Sequence, residues 1–176
     1  MNSEIEKHIQ IYNIYIYDKV KNILDSGKKY EDFDYKSDLH KIFEYFTCIK
    51  LTQETGTIFQ EYGHIDRDFK EENSMSRMDT GFDACNSIDT IVQCKLRQHT
   101  LTWKECTSFF ASNYNRDNDN KLQLVWNNLV IARNSESKLA KHLQDKSKLF
   151  TDKTYSRTEI IDYCKHLIKN PPLFKS

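Results

Sequence analysis

The segment running from Thr80 to Arg97, TGFDACNSIDTIVQCKLR, constrains the fold more than any other part of the chain. From Ile88 onward its residues alternate. Ile88, Thr90, Val92, Cys94 and Leu96 share one face, and Asp89, Ile91, Gln93, Lys95 and Arg97 share the other. Thr80-Gly81 opens a first β-type stretch, FDAC continues it, and Asn86-Ser87 supplies turn residues before the second. The segment therefore reads as a β-hairpin whose second strand lies deep in a sheet.

Helical periodicity surrounds this hairpin. Residues 3–24 read as a helix, with Ser3 and Glu6 as a capping box and Ile5, Ile9, Tyr12, Ile16, Val20 and Ile23 at spacings of three and four. The β-branched stretch IYNIYIY also suits a strand. Asp25-Ser26-Gly27 stops the helix, and KKYEDFDYKS reads as a solvent-facing connection. A second helix is expected from about Ser37 to Thr52, burying Leu39, Ile42, Phe43, Phe46 and Ile49, with Glu44 beside that stripe. After the hairpin, Thr102 and Glu105 form another capping box, opening a helix whose inner face carries Cys106, Phe109 and Phe110. NYNRDNDNK reads as a polar loop, LQLVWNNLVIA as a central strand with an approach segment, and SESKLAKHLQ as a helix. A short strand is expected near Leu149-Phe150, and Ser156 with Glu159 caps a last helix that Asn170-Pro171-Pro172 ends. This order predicts a three-layer α/β domain around a small mixed sheet, with no internal repeat.

Composition narrows the function. The 176 residues have room for one compact domain, and 26 basic side chains balance 26 acidic ones. That balance excludes a basic tail or a wholly basic surface but allows a local basic face. Five widely spaced cysteines without a CxxC pair predict reduced, buried thiols rather than a zinc site or a disulfide framework. No apolar run approaches the ~20 residues of a membrane helix, and MNSEIEKHIQ lacks the pattern of a secretion signal. A soluble, intracellular, non-secreted protein is expected. The sequence has no GxxxxGK[ST], so it should not hydrolyse ATP itself, and it has no GxSxG, HExxH or GxGxxG. Its six histidines are scattered.

The chemistry lies in the hairpin. Folding it brings Asp83 beside the strand that carries Gln93 and Lys95, so a carboxylate, an amide oxygen and an ammonium converge. Oxygen donors of this kind hold a hard cation such as Mg²⁺. A neighbouring lysine then offsets charge building on a phosphate. The backbone carbonyl of Cys94 points sideways from the strand and is a further potential ligand. Asp89 lies about 13 Å from Gln93 along an extended strand, too far to share one ion with it by that route. Asp79, in MDTG, suits a turn in which Asp bonds its own backbone. On spacing alone, D-x9-Q-x-K also fits a solvated strand face. The apolar neighbours of VQCK favour a site, because a buried lysine and glutamine need a reason to be there.

The segment MDTGFDACNSIDTIVQCKLRQHTLTWKECTSFF resembles the restriction-endonuclease-like, PD-(D/E)xK superfamily, in particular its Mrr-like branch with a G-[IF]-D…QxK signature. The wording is most similar to the nuclease-like domain that precedes helicases in giant DNA viruses, and the resemblance covers about residues 37–135. It implies a three-layer restriction-endonuclease-like core over residues 37–170, preceded by an N-terminal helical extension (1–36) and followed by a C-terminal tail (171–176). By position, Asp83 matches the metal-binding aspartate, Gln93 stands for the second acid, Lys95 matches the catalytic lysine and Glu44 the upstream acidic residue. Phe82 stands where the eponymous proline would be. Gln93 is uncharged, so metal affinity should be lower and dependence on Glu44 greater.

The activity implied is a Mg²⁺- or Mn²⁺-dependent DNA endonuclease, acting as a homodimer, with Arg77, Arg97 and Lys104 contacting DNA. The site in a virus-infected cell would be the cytoplasm or viral factory. The alternatives are a non-catalytic DNA-binding module serving a helicase in cis or in trans, and a Holliday-junction resolvase. Neutral net charge counts against the resolvase. The end of the chain after Pro171-Pro172 is compatible with a piece of, or a relative of, a longer helicase.

Overall fold

The computed structural model describes residues 3–72, 81–111, 114–116, 122–124 and 126–173. Helix α1 (Ser3–Asp25) buries Ile5, Tyr12, Ile16 and Val20, all drawn from the periodic stripe, so helical spacing overrides the β-branched content. It ends at Gly27, whose φ of +97° suits glycine. The connection that follows is more than a solvated linker. It forms a short 3₁₀ turn at Tyr30–Asp32 and plants Phe33 in the core.

Helix α2 (Leu39–Thr55) is buried along most of its length and ends at Gly56, with φ +73°. Strand β1 (Gln60–Glu61), helix α3 (Arg67–Glu72), strand β2 (Ala84–Cys85) and strand β3 (Thr90–Lys95) follow. The hairpin turn is organised by Asn86. Its Oδ1 accepts from the N–H groups of Ile88, Asp89 and Thr90 at 3.0–3.1 Å, while Ser87 takes a left-handed φ of +59°. Asp89 belongs to this turn, where its Oδ1 accepts from Asn86 and Thr90.

Helix α4 (Trp103–Ala111) buries Cys106, Phe109 and Phe110 as expected. Only half of its capping box forms. The Glu105 carboxylate accepts from the Thr102 N–H at 2.9 Å, and it also accepts from Arg97. Inside the expected polar loop, strand β4 (Tyr114–Arg116) forms and pairs with β5 (Leu122–Leu124), the approach segment of LQLVWNNLVIA, as a separate antiparallel ribbon. Strand β6 (Asn128–Asn134) is the central run foreseen in LQLVWNNLVIA.

The expected SESKLAKHLQ helix shrinks to α5 (Lys141–Gln144). Leu139 instead forms a parallel bridge with Leu101, and Leu101 N–H donates to Lys138 O at 2.7 Å, which holds the preceding residues extended. Strand β7 (Thr151–Tyr155) begins just after the expected Leu149-Phe150. Helix α6 (Arg157–Lys169) has the full Ser156/Glu159 capping box.

The main sheet is mixed, in the order β1-β2-β3-β6-β7, with β1, β2 and β3 antiparallel and β3, β6 and β7 parallel. Each face has its own core. Tyr12, Ile16 and Val20 of α1, the buried stripe of α2, and Ile160, Ile161, Cys164 and Leu167 of α6 cover Val92, Cys94, Val130 and Ala132. Phe109 and Phe110 of α4 and Leu143 of α5 cover Ile91, Leu129 and Ile131 on the other side. All five cysteines are buried and free. Among the described residues, no helix is long and apolar enough to cross a membrane.

Candidate functional site

Two elements of different origin end at the same place. The hairpin register pairs Ala84 with Val92 and Cys85 with Ile91, so one further step sets Asp83 opposite Gln93. Asp83 is fixed there by its backbone, its N–H donating to Val92 O and its carbonyl accepting from Tyr62 N–H, both at 2.8 Å. Its carboxylate turns to the free end of β3, where Oδ2 accepts the Cys94 N–H at 2.7 Å. In a strand, the N–H and C=O of one residue face the same edge. The Cys94 carbonyl therefore faces the Asp83 side as well.

Gly81 makes this geometry possible. Its φ is +69°, and a Cβ there would lie 2.2 Å from the Ser108 carbonyl oxygen of α4. Only glycine lets the chain cross α4 so closely. Its carbonyl accepts from Gln93 Nε2 at 3.2 Å, which fixes the amide. Gln93 is 6% exposed, and among the described residues its Oε1 has no hydrogen-bond partner. A buried acceptor left unpaired is costly and invites a ligand. Strand alternation places Gln93 and Lys95 on the α4 face with Ile91.

Glu44 approaches from the opposite face, on α2, and is 4% exposed. Its Oε2 accepts from Lys41 Nζ at 2.9 Å, and its Oε1 lies 3.3 Å from His40 Nε2. Lys41 also donates to Glu61 Oε1 at 2.7 Å, and Glu61 Oε2 is buried with no hydrogen-bond partner among the described residues. Glu61 is held in turn by α1, because its N–H donates to the Tyr12 hydroxyl at 2.9 Å.

The charges are unequal. Burial, then the Asp83 charge, pushes Glu44 up to about 7, against the opposing pull of Lys41. Burial also raises Asp83, although the Cys94 N–H and the charges of Lys95, His40 and Lys41 work against it. Burial lowers His40, with Lys41, Arg97 and Lys95 adding to the effect and Asp83 opposing it. Burial opposes the charge on Lys41, yet hydrogen bonds to Glu61 and Glu44 outweigh it and hold the ammonium above its ordinary range.

Asp83, Gln93, Cys94 and Lys95 thus meet at the end of the hairpin, and Glu44 meets them through Asp83 rather than across one face with Gln93. Arg97 is half-buried at the margin, with its Nε donating to Glu105 Oε1 at 3.1 Å. Lys104 is exposed on the first turn of α4. Arg77 and Asp79 lie outside the described residues. Three participants escape a reading of the hairpin alone: His40, Lys41 and Glu61. The first two stand four and three residues before Glu44 on the same helix face, a spacing visible in the sequence. Glu61 carries no such signal, because it arrives through the pairing of the two-residue strand β1 with β2.

The donor chemistry suits a hard divalent cation. The Asp83 carboxylate, the Gln93 Oε1 and the Cys94 carbonyl are all oxygens. Among the described residues, no three or more His, Cys, Asp or Glu side chains are grouped as metal ligands. An ion here would accordingly depend on the amide, the carbonyl and water as well as on carboxylate. Compared with protein-family models, curated proteins and solved structures, the chain has no significant match.

Proposed function

We propose that the chain is a Mg²⁺- or Mn²⁺-dependent DNA endonuclease with a restriction-endonuclease-like core. The observation that carries this reading is the Asp83 carboxylate seated on the Cys94 N–H at 2.7 Å, in register with Gln93, whose buried Oε1 has no hydrogen-bond partner among the described residues. A helix, an antiparallel hairpin and parallel strands in that order support the core assignment.

Asp83, Gln93 Oε1 and the Cys94 carbonyl would hold the ion, with Glu44 acting on it through water or Asp83. When bound, the ion supplies a Lewis acid that lowers the pKa of a water and neutralises phosphate charge. Lys95 places a further positive charge where negative charge grows on the scissile phosphate. Glu44, held near neutrality, can take a proton from the attacking water around pH 7. Arg97 and Lys104 contribute phosphate contacts that orient the duplex without reading its sequence. Action as a homodimer and coupling to a helicase belong to the same proposal.

The test is plasmid nicking in Mg²⁺ or Mn²⁺. Wild type nicks, and neither Asp83→Ala nor Lys95→Ala does. Nicking that survives in both variants contradicts the assignment.

One observation favours a second reading, a DNA-binding accessory module without catalysis. Lys41 already occupies Glu44 at 2.9 Å and Glu61 at 2.7 Å, which leaves less negative charge for an ion. Salt-sensitive DNA binding with no cutting by any variant is its signature.

A further inference from the structure

Beside the site runs a cleft of about 990 Å³ between the segment 34–40, with Tyr35 and Lys36, and the segment 96–99, with Leu96 and Arg97. Its two walls are direct continuations of the elements that build the site. One wall is the chain leading into α2, ending at His40, whose Nε2 lies 3.3 Å from Glu44 Oε1. The other is the chain leaving β3 immediately after Lys95. A polymer held at Asp83 and Lys95 would therefore pass straight into this cleft.

We propose that the cleft seats a short stretch of single-stranded DNA adjoining the scissile phosphate, so that the enzyme acts on unpaired or frayed strands in preference to intact duplex. The inference rests on the DNA-cutting reading and names its substrate class.

Charge complementarity comes first. Lys36 and Arg97 are the fixed positive charges on the two walls. Among the described residues that line the cleft, the acid is Asp34, and it has a cation of its own. Its carboxylate accepts from the Ser37 N–H and hydroxyl, which keep it ionised, and its charge is partly offset by Lys28 Nζ at 3.5 Å. The Glu105 carboxylate, which also accepts the Thr102 N–H, pairs with Arg97 at 3.1 Å and offsets part of its charge, so Lys36 carries more of the attraction.

Base recognition comes second. Tyr35 is half-buried in the wall, and its ring is steadied by the Arg157 guanidinium 5.1 Å from the ring centroid. Leu96 gives an apolar floor, while Gln98 and His99 offer hydrogen-bonding groups. Aromatic, apolar and cationic groups along one groove are the chemistry of a single strand, whose bases are free to stack and whose phosphates remain reachable. Size decides the rest. A cleft of this volume matches a small-ligand site, which a rigid double helix cannot enter.

The experiment is fluorescence anisotropy of the full chain in Ca²⁺, which permits binding without turnover. The probes are a labelled single-stranded DNA oligonucleotide and the same oligonucleotide annealed to its complement. The single strand is expected to bind at least about tenfold tighter, with Tyr35→Ala losing about five- to a hundredfold of that affinity. Lys36→Glu, a change at an exposed position, should weaken single-strand binding and reduce its salt dependence by about 0.7 in log–log slope for the lost contact. Equal affinity for both probes overturns the proposal, as does unchanged single-strand affinity in both variants. The two readings fail separately. Tight single-strand binding by a chain that cuts nothing removes the nuclease and keeps the cleft, whereas cutting without strand preference keeps the nuclease and removes the cleft.

Discussion

Helix α2 carries a carboxylate to each of two very different surroundings. Near its C-terminal end, Glu54 pairs with Lys153 of β7 at 2.7 Å, both side chains partly exposed. On the same strand, the Asp152 carboxylate accepts from Arg133 Nε and Nη2, each at 2.8 Å. Every acid named there has its own cation. About 15 Å back along the helix, Glu44, Glu61 and Asp83 crowd around Lys41, which bridges two of them, and burial raises both Glu44 and Asp83. The edge at β7 is a surface stabilised by matched pairs. At the hairpin end burial itself resists the charge of two carboxylates, and on the proposed reading a divalent ion would relieve that cost.

The sharpest way to break the comparison is to remove one aspartate from each region. Asp83→Asn should lower nicking by at least about 100-fold, on the scale of losing one stabilising charge interaction at a reacting centre. Asp152→Asn should leave nicking unchanged and cost only about 1 kcal/mol of stability. A comparable loss from Asp152→Asn would dissolve the distinction between the regions.

The hairpin end is also the place where the backbone tolerates least. Gly81→Ala drives a methyl group into the Ser108 carbonyl, and should cost about 3 kcal/mol and lower the melting temperature by roughly 6–12 °C. Gly27→Ala, where nothing lies within 4 Å, should cost only about 1 kcal/mol for its left-handed φ. Thermal unfolding followed by circular dichroism separates the two.

Protonation of Glu44 sharpens the contrast further. Its folded pKa of about 7 lies above the ordinary 4.5, so between those values the folded chain binds more protons than the unfolded chain. Stability without a divalent ion is therefore greatest below this window and falls as pH rises through it, by about 1–3 kcal/mol. The raised Asp83 acts in the same sense. Glu44→Gln should flatten that slope, and added Mg²⁺, which favours the ionised form, should offset it at the upper end. Urea unfolding across the window reads both effects. The smallest expected change is at the β7 edge, where Lys153→Ala should cost less than about 1 kcal/mol, a loss that salt erases.

Much of this organisation was legible in the sequence, for reasons visible at particular residues. The stripe of α1, the burial of α2, the capping motif of α6 and the alternation of β3 all follow local periodicity. Asp83, Gln93, Cys94 and Lys95 were legible because one tight turn fixes their relation. What was not legible is set by distant partners. Strand β1 has only two residues and exists through its pairing with β2, so the place of Glu61 could not be read locally. Strand β7 is an edge strand with the sequence TDKTY, and a charged edge lacks the apolar signature of a buried strand. The shortening of α5 follows from the bridge between Leu101 and Leu139. Phe33 looked solvated among charged neighbours, yet it fills the core as its backbone carries it inward.

The most direct test is Mn²⁺ titration of the full chain at neutral pH, followed by electron paramagnetic resonance of the free ion. The account predicts that wild type binds the ion and that Asp83→Asn loses it, while Asp152→Asn binds as wild type does. Wild type that takes up no Mn²⁺, or Asp83→Asn that binds it equally well, would contradict the reading of the hairpin end as a cation site.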